Sequence, residues 1–86
     1  MKLWGKIWKE NHLIRDIVVE DNTDDTRTHK FFHSIDQICD TFDLGHPIWL
    51  ESTIRSFQRR SHARFNADAF VEAVDFDYLE IQVLEE

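Results

Sequence analysis

The chain has 86 residues and a mass of 10.4 kDa, enough for one domain around a small core. Apolar residues make up 42% and charged residues 31%, too hydrophobic for disorder. Seventeen acids against ten bases leave a formal charge of −7, which disfavours nonspecific binding to nucleic acid or an anionic membrane.

The opening stretch, MKLWGKIWKENH, has a lysine at position 2 but no apolar run of signal-peptide length, and no window of the chain approaches a membrane span. A cytoplasmic protein is expected. Residues 1–20 predict a β-hairpin, because Trp, Ile and Val are enriched on both sides of the polar break Lys9-Glu10-Asn11-His12. A two-residue loop at Glu10-Asn11 would set Lys6 opposite Arg15, and like charges facing across a ladder are unfavourable. A three-residue loop, with Asn11 or His12 left-handed, instead pairs Lys6 with Asp16 and Lys2 with Glu20. In that register Trp4 faces Val18 and Trp8 faces Ile14 on one side. Leu3, Gly5, Ile7, Leu13, Ile17 and Val19 form the other side, which is nearly all apolar and is expected to face the core, with Arg15 its one intruder.

Asp24 or Asp25 is suited to cap the next element, in which Phe31, Phe32, Ile35, Ile38, Cys39 and Phe42 recur at helical spacing. Gly45 is expected to supply the left-handed residue that ends the helix, and Pro47 prevents its continuation. Cys39 lies within the apolar stripe and reads as a small core residue. As the only cysteine it can form neither an intramolecular disulfide nor a Cys/His zinc framework. On the polar side His29, His33, Asp36 and Asp40 stack along one stripe. Imidazoles at this spacing can chelate a divalent metal, which makes His29, His33 and Asp36 metal candidates. Weak pairing on a solvated face is the simpler account, since no second element offers an obvious ligand.

Pro47-Ile48-Trp49-Leu50 is expected to be extended. Glu51 or Ser52 then opens a short helix to about Arg60, with Ile54 and Phe57 inward. Arg55, Arg59 and Arg60 fall outside and, with His62 and Arg64, form a basic patch able to grip an anion or a nucleic-acid backbone. Docking of these arginines on the acidic C-terminal segment is the simpler expectation. Asn66 is placed to cap a last short helix, Ala67 to Val74, carrying Phe70, Val71 and Val74 on one side. The end of the chain alternates: Leu79, Ile81 and Val83 point one way, and Phe76, Tyr78, Glu80, Gln82 and Leu84 the other, as in a half-buried strand.

Charge is segregated along the chain, with net values of +3 over residues 1–15, −5 over 16–25, −1 over 26–46, +3 over 47–64 and −7 from 65 onward. Adjacent basic and acidic elements that neutralise each other in the fold are the plain explanation. Asp75, Asp77 and Glu80 could be tried as a metal-holding carboxylate set, but Glu80 falls on the opposite strand face from the two aspartates. Neither a phosphate-binding glycine loop nor a serine elbow is present, and Ser61-His62 has no orienting acid at hand. No enzyme is expected, and no cofactor.

The stretches FDLGHPIWLE at 42–51 and FDYLEIQV at 76–83 resemble segments of short uncharacterised proteins of anaerobic Gram-positive bacteria. That resemblance implies a self-contained small bacterial domain and carries no activity, cofactor or site residue with it.

These elements assemble into an α+β two-layer sandwich over residues 1–86. The hairpin and the C-terminal strand form a three-stranded sheet of order 2-1-3, covered on one face by one long and two short helices. The uncovered face then carries Trp4, Trp8, Phe76 and Tyr78. A non-catalytic protein–protein interaction module, a homodimer included, follows from that face. An anion or nucleic-acid binder acting through Arg55, Arg59, Arg60 and Arg64 is the alternative.

Overall fold

A computed structural model describes all residues, 1–86. Strands β1 (Lys2–Lys9) and β2 (His12–Glu20) form the hairpin, followed by helices α1 (Arg27–Thr41) and α2 (Glu51–Arg60), strand β3 (His62–Asn66), one 3-10 turn (Ala67–Ala69) and strand β4 (Tyr78–Glu85). The four strands lie in the order β2-β1-β4-β3, each pair antiparallel. The C-terminal strand does pair with β1, but a fourth strand and one helix fewer correct the expected three strands and three helices.

The hairpin reaches the expected register by another route. Lys2 faces Glu20, Trp4 faces Val18 and Lys6 faces Asp16. The connection, however, is a two-residue turn with positive φ at both Glu10 and Asn11 (50° and 65°), which suits the twist of the flanking strands. A bulge between the pairs Ile7–Arg15 and Trp8–Leu13 then absorbs Ile14 and shifts the ladder by one residue, so that Lys6 avoids Arg15. The same bulge turns Leu13 onto the Trp side, away from the expected core side, and makes it rather than Ile14 the partner of Trp8. Arg15 stays on the core side, its guanidinium 4.6 Å from the Phe42 ring centroid.

Helix α1 begins at Thr26, not Asp24 or Asp25: the Thr26 hydroxyl accepts from the His29 backbone N–H, while Asp25 Oδ1 accepts from Thr26 N–H at 2.8 Å. It ends without help from Gly45. Asp43 takes the left-handed conformation (φ 56°), and Asp43 and Leu44 return backbone bonds to Asp40 and Cys39. One face of α1 buries Phe31, Ile35, Ile38, Cys39 and Phe42 against Leu3, Ile7, Leu79 and Ile81 of the sheet, in a single core. Gly5 permits the close approach, since a Cβ there would lie 2.9 Å from Ile38 Cγ2. Phe32 points outward from this stripe.

Helix α2 contributes Phe57, whose ring stacks on Phe31 at 3.6 Å between centroids, and Trp49 meets both Phe31 and Phe65 edge-on. After α2 the chain does not prepare another helix. Ala63 and Phe65 are buried while Arg64 and Asn66 are exposed, the alternation of a strand, and His62–Asn66 pairs with β4. The expected helix Ala67–Val74 is reduced to the turn at Ala67–Ala69. Phe70 is extended and packs edge-to-face on Phe76 in the core, 5.5 Å between centroids, whereas Val71 is 85% exposed. Both ends of the segment are tied down by the bonds Ala67 N–H to Asp77 O and Asp77 N–H to Trp8 O. No helix is long and apolar enough to cross a membrane.

Candidate functional site

Both helices and the 67–77 segment feed the one core, so they cover one face of the sheet and leave the other open. The open face is a grid set by strand alternation. Trp4, Lys6 and Trp8 of β1 stand beside Val18, Asp16 and Leu13 of β2 on one side and beside Gln82, Glu80 and Tyr78 of β4 on the other. His62 and Arg64 of β3 extend the grid past β4.

Glu80 is the centre of its polar part. Its two oxygens accept from Trp8 Nε1 (2.9 Å) and from the His62 ring (2.5 Å), and Lys6 Nζ lies 3.1 Å away. Burial pushes the Glu80 carboxyl up, but the bonds from His62, Trp8 and Lys6 outweigh it and hold the group well below its ordinary 4.5, at about 2. Glu80 is therefore an anion at every physiological pH, occupied by its neighbours and unsuited to donate a proton. Lys6, only 8% exposed, is in turn shared with Gln82 Oε1 and lies 4.0 Å from the Trp4 ring centroid. Trp4 Nε1 donates to Asp16 at 2.9 Å, Lys2 approaches Glu85 at 3.6 Å, and Arg64 lies 4.1 Å from the Tyr78 ring, which stacks beside Trp8. No buried side-chain nitrogen or oxygen lacks a partner.

The apolar part lies toward β2, where Leu13, Ile14 and Val18 are exposed; Leu84 on β4 adds to it, and Val18 is 50% exposed. The face so assembled brings together Trp4, Trp8 and Tyr78 as expected. Phe76 is a correction: it is 6% exposed and belongs to the core, because β4 starts only at Tyr78 and the strand parity does not extend back to it. Sequence reasoning also missed the Glu80 hub. Its outward direction was legible in the alternation, but its partners come from β1 and β3, and β3 was not anticipated.

The basic patch separates into two. Arg55, Arg59 and Arg60 remain on α2, whereas Arg64 lies on the open side of the sheet against Tyr78. The acidic C-terminal segment is taken by other bases, through Arg27–Glu86 (2.9 Å), Lys2–Glu85 and Lys6–Glu80. The metal candidates are not brought together either. His29 pairs with Asp25, His33 lies 3.7 Å from Asp21, and Asp36 lies 3.5 Å from His46. Those are three separate pairs, and no group of three potential ligands converges. Cys39 is buried, with its thiol pushed up to about 11 by burial and by Asp36 and Asp40, so it is a protonated core side chain at neutral pH.

No family model, curated protein or solved structure matches this chain. A cavity of about 540 Å³ between Phe42–His46 and Phe70–Phe76 has an aromatic floor of Phe42, Phe70 and Phe76, and Arg15 lines it.

Proposed function

We propose that this chain is a cytoplasmic, non-catalytic interaction module that docks through its open sheet face onto a second copy of itself. The observation that supports this most is the division of that face into exposed apolar side chains of β2 (Leu13, Ile14, Val18) beside half-buried Trp4, and a polar part in which Lys6 and His62 pair with Glu80. Covering such a face leaves Lys6 and Glu80 paired, so the desolvation cost falls mainly on Asp16, which keeps its bond from Trp4 Nε1, and on Arg64, which lies over the Tyr78 ring. A two-fold axis along the strip would place apolar against apolar, with the Lys6–Glu80–His62 group toward the rim, the usual anatomy of an interface. Three strands of eight or nine residues and the five-residue β3, about 4.8 Å apart, present roughly 480 Å² in plan. Two such faces fall just below the range of stable interfaces, which makes the dimer weak and concentration-dependent rather than obligate.

Sedimentation equilibrium from micromolar to millimolar chain tests this. The wild type should pass from monomer to dimer, and Val18→Lys, at an exposed position, should weaken dimerisation by about tenfold or more with an unchanged circular-dichroism spectrum. A wild type that stays monomeric throughout, or a Val18→Lys chain that dimerises as well, would overturn the proposal.

A further inference from the structure

Helix α2 carries a second feature that the open face does not use. Ser52, Arg55, Ser56, Arg59 and Arg60 line a surface pocket of about 280 Å³ on the side of the helix away from buried Phe57. Their spacing places them on adjoining turns, so three guanidinium groups surround one concavity. None of its lining residues is acidic.

That absence is unusual for this chain, which has 17 acids for ten bases. Three acids of the C-terminal segment are committed elsewhere: Glu80 to Lys6 and His62, Glu85 to Lys2, and Glu86 to Arg27. The only ion pair made from α2 is Arg55–Glu51 at 2.9 Å, with both side chains more than half exposed, which is worth little in water. Arg59 and Arg60 form none. The helix dipole accounts for bases in the last turn of α2, where these two lie, but not for Arg55 a turn earlier.

We propose that this pocket binds a compact, multiply charged oxyanion, a pyrophosphate or phosphomonoester group, gripped by Arg55, Arg59 and Arg60. Guanidinium forks match phosphate oxygens in pairs. The Ser52 hydroxyl is free to donate as well, whereas Ser56 already donates to the His62 carbonyl and holds α2 to β3. The pocket has the volume of roughly nine water molecules, which suits a phosphate group or two rather than a bulky ligand. A polymeric phosphate backbone is disfavoured, because beyond α2 it would run over a surface of net negative charge. On binding, Arg55 exchanges Glu51 for the ligand, so Glu51 is a competitor for the site.

The test is an NMR titration of the arginine Nε–H and Ser52 amide signals with sodium pyrophosphate at low salt, repeated with glycerol phosphate, a single-stranded oligonucleotide and anionic lipid vesicles. Saturable shifts at Arg55, Arg59, Arg60 and Ser52 are expected with pyrophosphate or glycerol phosphate, and whichever binds more tightly identifies the free anion or the ester as the better ligand. Arg59→Gln/Arg60→Gln should weaken binding at least tenfold, and Glu51→Gln should tighten it several-fold. These are exposed positions, so an unchanged circular-dichroism spectrum is expected of each variant. Shifts that do not saturate, that persist in the double variant, or that are larger for oligonucleotide or vesicles at equal phosphate would overturn the proposal.

Discussion

Glu80 shows how one residue organises a surface. It sits on a strand facing solvent, yet three donors from two other strands converge on it, and their combined pull keeps it ionised against the cost of partial burial. The linkage has a definite sign. The carboxyl titrates at about 2 in the folded chain, against an ordinary value of 4.5, so its contribution to stability is fully present above about pH 5 and is lost as pH falls from 4.5 through 2. Glu80→Gln removes the anion, leaves nearly buried Lys6 with only neutral amide oxygens beside it, and puts an NH2 donor where one carboxylate oxygen accepted. A loss of about 2 kcal/mol at pH 7 is expected, less than for a fully buried pair because part of the site meets water. Urea unfolding of both chains from pH 7 to pH 2.5 checks it: the difference should shrink as pH falls below 4.5. A constant difference would mean that the charge of Glu80 does not stabilise the fold.

At the scale of elements, local chemistry and tertiary context share the outcome. Helix α1 was legible because six apolar residues recur at its period, and the last strand because Leu79, Ile81 and Val83 alternate with polar neighbours. The body of the hairpin register was legible from charge alone, since Lys6 had to avoid Arg15. The sequence did not distinguish a three-residue loop from a two-residue turn with a bulge, because both satisfy that constraint and differ only at Leu13 and Ile14. Strand β3 was hidden by its length: in five residues, the alternation of Ala63 and Phe65 with His62, Arg64 and Asn66 competes with the reading of His62 and Arg64 as part of a basic patch after the arginine helix and of Asn66 as a helix cap. The candidate site was legible in three of its four aromatics. Its apolar strip was not, since the exposure of Leu13 and Ile14 follows from the bulge.

The end of α1 gives a further prediction at this scale. Asp43 occupies the left-handed position that Gly45 was expected to fill, and an L-residue is strained there. Asp43→Gly should raise stability by about 0.5–1 kcal/mol, read as a higher denaturation midpoint with an unchanged slope. A lower midpoint would show that the Asp43 side chain contributes more to the cap than its backbone costs.

At the scale of the whole molecule, the segregated charges resolve into a division of labour. Acids of β4 and the C-terminal residue neutralise Lys2, Lys6 and Arg27, while Arg59 and Arg60 of α2 are left without acidic partners and Arg55 pairs only with the exposed Glu51. A second apolar area exists on the helical side, where Phe32, Ile48, Leu50 and Ile54 are exposed. It competes with the sheet face as a docking surface, and oligomeric state alone does not separate the two. An isotope-filtered NMR experiment on a mixture of ¹³C-labelled and unlabelled chain does so directly. Cross-peaks between copies are predicted among Leu13, Val18 and the Trp4 ring. Cross-peaks confined to Phe32, Ile48 and Ile54, or none at concentrations where the chain is dimeric, would contradict docking through the open sheet face.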